Sequence, residues 1–210
     1  VSDTAVIYVH GLFLTGSEAI ALRQRLEKAL FAETFSFHYA SRTAPMTEVT
    51  AQLNEFARGH TAQTLHFVGH SLGGLVLLRF LERFSEQPPG RVVFLGTPAV
   101  ESRAVAGLSR FGWSASVLGA CVTEELMNPK ARRWTLAREL GVIAGSRAFG
   151  LGQFFAGFDE PSDGTVAVSE TCIPGATDHL VLPVSHMGML LSAQVAEQCA
   201  AFLRVGRFDR

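Results

Sequence analysis

The residues Gly69-His70-Ser71-Leu72-Gly73 place one hydroxyl between two glycines, directly after the apolar run TLHFVG (64–69) and before the helix-forming run that starts at Leu72. A strand that turns sharply into a helix forces its apex residue into a strained backbone conformation and lets the apex side chain project from the sheet edge. Side chains two positions before and after the apex would collide with the turn, so glycine suits both. The apex also lies beside the helix N-terminus, whose free N–H groups and positive dipole end favour an anion. Ser71 is therefore read as a nucleophile. The plainer alternative is a glycine-rich turn with a capping serine.

A serine hydroxyl is a weak nucleophile at neutral pH and needs a base, which itself needs orienting. In the α/β-hydrolase arrangement, which this turn resembles, the chain order is serine, then Asp or Glu, then histidine. Two histidines follow Ser71, namely His179 and His186. His179 opens the run HLVLPV (179–184) and would sit at the far edge of a sheet, whereas His186 follows that run and can hang over the carboxyl edge. His186 is the favoured base, with a surface or helix-start histidine as the alternative. The acids between the preceding strand and His186 are Asp159, Glu160, Asp163, Glu170 and Asp178. Asp163, in PSDGTVAV, is short and stands on a tight turn, so it is favoured to hold Nδ1 of His186, with Asp159 next. An Asx-turn is the alternative use of Asp163.

An acyl-transfer site also needs two aimed N–H donors. Leu72 follows the nucleophile and supplies one; Leu12, in the loop HGLFLTG (10–16), supplies the other, with Gly11 allowing close approach. Phe13 in the same loop is read as a substrate contact, along with His70, whose place beside the turn also suits packing. Phe111, Trp113, Phe149, Phe154, Phe155 and Phe158 fall in irregular segments and could line an apolar pocket or the core.

The elements that must position these groups alternate. Strands are expected at 4–10, 34–39, 64–69, 91–96, 141–146 and 179–184, and helices over Glu18–Phe31, Thr47–Arg58, Leu72–Ser85 and Met187–Leu203. Several strands are apolar throughout, the pattern of a parallel sheet covered on both faces. The fold class is α/β, with a mostly parallel sheet of about six strands. Residues 99–140 read as a short helical excursion, a small cap at the carboxyl edge, carrying Trp134 and the basic residues Arg103, Arg110, Lys130, Arg132, Arg133 and Arg138. A glycine- and phenylalanine-rich loop spans 147–164, and no linker divides the chain, so one domain over 1–210 is expected.

The ordered set VHGLF, VGHSLGG, FLGTP, SDGTV and VSHMGMLLS resembles the α/β-hydrolase superfamily, and within it small bacterial lipases and esterases, across nearly the whole chain. The resemblance implies an ester or amide bond cleaved through an acyl-enzyme without a cofactor. HGLF resembles the variant with a single glycine before the oxyanion residue, in which Leu12 also shapes the acyl pocket and medium or long acyl chains are common. GTP is then a turn after a strand and no nucleotide signal.

Composition narrows the partners. A net charge of -1 and a pI near 6.7 give no field for nucleic acid. No run approaches the roughly 18 apolar residues of a membrane span. His and Cys do not cluster at ligand spacing, so no metal is expected. The three cysteines, Cys121, Cys172 and Cys199, are widely spaced and read as buried thiols of a reducing compartment, which with no visible signal peptide points to the cytoplasm. A removed leader is the alternative, since the chain starts without Met. The leading function is a serine hydrolase of small-molecule or lipid esters. The same triad could serve an acyltransferase or thioesterase, and a slow hydrolase-like ligand-binding protein is the rival from another class.

Overall fold

Strand residues alternate between two faces, and in this chain both faces are apolar. The computed structural model describes residues 3–99, 132–148 and 160–210. It shows six strands: β1 Thr4–Val9, β2 Glu33–Phe37, β3 Thr64–His70, β4 Val92–Leu95, β5 Leu140–Gly145 and β6 Asp178–Leu182. They form one sheet in the order β2-β1-β3-β4-β5-β6, and every pairing is parallel. Ala5, Ile7, Phe67, Phe94 and Val142 enter one buried cluster with Val49, Leu53 and Leu75. Val6, Tyr8, Val68, Leu95 and Ile143 enter the other with Leu22, Leu26, Val195 and Phe202. Helices α2 (Met46–Arg58) and α3 (Leu72–Arg83) thus cover one face, and α1 (Ile20–Leu30) and α4 (Ala193–Val205) the other. This explains the unbroken apolar runs: a parallel sheet buried on both sides has no polar face to show.

The strand order reverses at β1, with β2 on one side and β3 on the other. In open parallel sheets the crevice outside the carboxyl ends at such a switch point is where ligands bind. The pairing Val9↔Gly69 puts the loops after β1 and β3 side by side there.

Three sequence expectations are revised. The last helix starts at Ala193 and not at Met187, because Ser192 restarts it by accepting the Val195 N–H, while Gly188–Leu190 form a separate 3-10 turn. Leu191 consequently leaves the buried face and stands exposed. The end of the expected cap, residues 132–139, packs against the core instead. Trp134 is buried edge-on to Phe94, and Arg138 donates to the carbonyls of Leu65 and Pro88 at the amino end of β3 and β4, across the sheet from Ser71. Burial lowers the Arg138 pKa to about 10, and its guanidinium lies over Phe67, so this basic residue serves the fold. Cys172 is exposed, not buried, and Cys199 is buried; both are free thiols. The rest of the cap, Cys121, Asp159, Arg103, Arg110, Lys130 and the aromatic residues at 111, 113, 149, 154, 155 and 158 lie outside the described residues.

α4 approaches the sheet at backbone distance. A Cβ on Gly141 would stand 2.8 Å from the Phe202 ring. Gly141→Val should therefore lower the free energy of unfolding by about 1–3 kcal/mol, seen as a lower urea midpoint. Adding Phe202→Leu should recover part of the loss, and an additive double mutant would count against this contact.

Candidate active site

The turn from β3 to α3 is tight because three glycines let three backbones meet. A Cβ on Gly69 would lie 2.6 Å from the Gly74 nitrogen, one on Gly73 2.1 Å from the Val9 carbonyl oxygen, and one on Gly74 2.1 Å from Thr97 Oγ1. The first turn of α3 is thereby wedged between the ends of β1 and β4. Ser71, at the bend, has φ 54 and ψ -122. Such a conformation costs a non-glycine residue about 1–3 kcal/mol and persists only where its surroundings over-determine it. Here the Ser71 N–H donates to Leu95 O at 2.9 Å, and the Gly74 N–H donates to Ser71 O at 3.1 Å. Leu72 is the first residue of α3, so its N–H is one of the donors that a helix leaves without an internal partner.

Asp163 and His186 come from loops flanking β6 and are paired. His186 Nδ1 and Asp163 Oδ2 are 2.7 Å apart, and the His186 N–H donates to Asp163 O at 2.9 Å. The other carboxylate oxygen, Oδ1, accepts the N–H groups of Thr165 and Val166 at 2.8 and 2.7 Å. The turn use and the histidine-orienting use of Asp163 are therefore compatible: one oxygen builds the turn and the other faces the ring. Asp163 is 1% exposed, so its charge is set against the ring and two amides and not against water.

Gly96, the residue after the carbonyl that accepts the Ser71 N–H, lies against this pair. Gly96 has φ +54, and a Cβ there would lie 2.9 Å from Asp163 Oδ2 and 3.1 Å from His186 Nδ1. Among the described residues, the hydrogen bonds of His186 run to Asp163 and His70, and none reaches the Ser71 hydroxyl. Bonds of that kind are often long before substrate binds.

The loop after β1 lies against the bend: a Cβ on Gly11 would stand 3.0 Å from Ser71 Cβ. His10 holds this loop. Its Nδ1–H donates to Gly11 O at 2.8 Å, and its Nε2 accepts the Tyr39 N–H at 3.3 Å, while its ring stacks on Tyr39. In a trans peptide the carbonyl and the next N–H point in opposite directions, so anchoring Gly11 O also orients the Leu12 N–H. Phe13 has a positive φ of 63 and is 49% exposed, with its N–H on Ser41 Oγ and Arg42 beside its ring.

Of the residues expected from the sequence, Ser71, Asp163, His186, Leu12 and Leu72 gather at the carboxyl edge of β1, β3 and β4, and Phe13 is at its surface. His70 is the correction. Its ring is fully buried behind the turn and its Nε2 lies 3.1 Å from His186 O, so it offers no atom to a substrate. His179 sits at the amino end of β6 and contacts Thr171. Missed in the sequence were Gly96, Gly145 and His10. A Cβ on Gly145 would meet Asp163 Cβ at 2.7 Å. The available signal for the two glycines was their place at the end of the apolar runs RVVFLG and GVIAG.

No protein-family model and no curated protein matches the chain. Solved structures do. A pyrethroid hydrolase is similar at 14% identity and a TM-score of 0.70, over 97% of this chain and 98% of that one. A bromoperoxidase from Bacillus anthracis is similar at 14% identity and a TM-score of 0.68, over 96% and 92%. A thioesterase of the prodiginine pathway in Streptomyces coelicolor is similar at 13% identity and a TM-score of 0.59, over 96% and 85%. The chain has the α/β-hydrolase fold.

Three buried histidines are neutral: His10 and His70 beside the turn, and His66 near the amino end of β3. Burial, and then the neighbouring His186, lowers the His70 pKa to about 3; burial lowers His66 to about 4; burial also lowers His10. As pH falls below the ordinary value near 6.5 the unfolded chain takes up these protons and the folded chain does not, so stability falls with pH. The window for His66 and His70 runs from about 6.5 down to their folded values. Between pH 7 and pH 5 each should cost about 2 kcal/mol. Urea midpoints at pH 7, 6 and 5 should drop steadily, and a flat profile would contradict neutral burial.

Proposed function

We propose that the protein is a serine hydrolase that cleaves carboxylic esters through an acyl-enzyme. The observation that carries this reading is the pairing of buried Asp163 with His186, 2.7 Å across, linked through His70 to a serine in a strained strand–helix turn. The fold supports it, since structures of the same fold include a pyrethroid hydrolase, a metagenomic carboxyl esterase and a thioesterase.

In this reading Ser71 Oγ attacks the acyl carbonyl carbon and its proton passes to His186 Nε2. Asp163 stabilises the imidazolium through Nδ1–H. The carbonyl oxygen becomes an oxyanion held by the Leu12 and Leu72 N–H groups, a form of stabilisation in which one donor is typically worth about 100- to 1,000-fold in rate. The tetrahedral intermediate collapses, the ester C–O bond breaks, and the alcohol leaves with the His186 proton. Water then adds to the acyl-enzyme, giving its proton to His186; collapse releases the acid and returns the proton to Ser71. Every proton and electron pair is carried by the chain's own groups, the ester and water. Phe13 and Met187, the sequence neighbours of Leu12 and His186, are 49% and 45% exposed, and in this reading they favour an apolar acyl group.

Three measurements test the reading. Ser71→Ala should abolish covalent labelling by a fluorophosphonate, and undiminished labelling would end the assignment. Asp163→Asn should lower kcat by about 10,000-fold through the wrong histidine tautomer. A chain-length series of aryl esters and matched acyl thioesters should show turnover rising with acyl length, with preference between the two series reporting the leaving group.

A further inference from the structure

We infer that His70 is a positioning residue that sets the register between Ser71 and His186, a proposal that rests on the functional reading above. His70 precedes Ser71 by one peptide bond, and its Nε2 lies 3.1 Å from the carbonyl oxygen of His186. A carbonyl can only accept, so the proton is on Nε2. One flat ring thus ties the backbone of the nucleophile to the backbone of the base, 115 residues later in the chain.

The other holds on His186 show why this one matters. Its N–H is bonded to Asp163 O and its Nδ1 to Asp163 Oδ2. Both fix His186 relative to the Asp163 loop, not relative to Ser71. The His70 bond fixes it relative to the turn. The two rings also pack directly, with centroids 4.6 Å apart. Leu, Met or Phe could fill the same space.

The position carries a penalty that packing alone does not explain. With the proton on Nε2, Nδ1 of His70 holds a lone pair, and that atom is buried without a hydrogen-bond partner. A buried acceptor left bare is destabilising. An apolar side chain would avoid that cost and lose one thing, the donor aimed at His186. Staying neutral suits the role as well, because a cation here would oppose the imidazolium formed on His186 during acyl transfer.

The test compares His70→Met with His70→Gln. The two side chains are alike in length, and only Gln can donate an N–H from the depth of Nε2. Thermal melts establish that each variant is folded; if the Met variant is not, His70→Phe takes its place. The Met variant should lose about 100-fold in kcat and in fluorophosphonate labelling rate, the scale of a misplacement near 1 Å, with KM within about twofold. Gln should recover most of that loss. A Met variant within about threefold of wild type, or equal losses in folded Met and Gln variants, overturns the proposal. Wild-type protein that is not labelled at Ser71 overturns the functional reading instead, so the two failures are distinguishable.

Discussion

The structure depends on how closely the first turn of α3 comes to the end of β1. No side chain fits between Gly73 and the Val9 carbonyl, where a Cβ would stand 2.1 Å from the oxygen. With that approach the chain passes from β3 to α3 through a bend at Ser71, in a conformation an L-residue rarely adopts. The bend turns the serine out of the sheet and leaves the N–H of Leu72 free at the helix start. The strain is offset by burial of the helix itself: Leu72, Leu75, Val76, Leu77, Leu78, Phe80 and Leu81 are all in the core. An apolar helix therefore holds a polar apex in place, which links packing to the geometry of the site.

Around that apex the imidazoles of His10 and His70 are held by backbone groups. His10 and His70 are buried and neutral, each with a defined tautomer: Nδ1–H on His10, because Gly11 O accepts it, and Nε2–H on His70, because His186 O accepts it. Neither competes for a proton at neutral pH. Asp163 and His186 are bonded to each other and to backbone. Around a buried carboxylate an oriented amide is worth more than in water, so the N–H groups of Thr165 and Val166 fix Asp163 as firmly as they build the turn.

The parts of this arrangement that were legible in the sequence are those with a period or a forced local conformation. The unbroken apolar runs implied a doubly covered parallel sheet, and G-x-S-x-G between strand and helix implied the bend. His186 could be separated from His179 by asking which end of a strand each would occupy. What was not legible depends on distant contacts. Ser192 is a local N-cap signal, but the apolar spacing of Leu191, Val195 and Cys199 runs straight through it and hides the break made by the 3-10 turn before it. Arg138 and Trp134 read as cap residues because the spacing carries no sign of which sheet edge the chain returns to; their partners, Leu65, Pro88 and Phe94, lie 40 or more residues away in sequence. His70 read as a substrate contact because proximity to Ser71 in sequence does not say whether a ring turns outward or back into the core.

The glycines at the strand ends carry one further step of the argument. Gly11, Gly69, Gly96 and Gly145 lie at or just past the ends of β1, β3, β4 and β5, and a side chain on each would press on a neighbour: Gly11 would crowd Ser71, while Gly69 would clash with α3, Gly96 with Asp163 and Gly145 with Asp163 and Val184. Side chains standing at a sheet edge would lift the loops that cross it by several ångströms, about the reach of a Cβ and the atoms beyond it. Without them the loops rest on the backbone. Serine, carboxylate and imidazole then come from three loops that are distant in sequence yet share a floor of main-chain atoms, which does not repack as side chains do. The cost is paid in conformational entropy, since glycine loses more on folding than any other residue. The return is that the distances between the three groups are set by peptide geometry, which supports reading the site as one built for a reaction and not for packing alone.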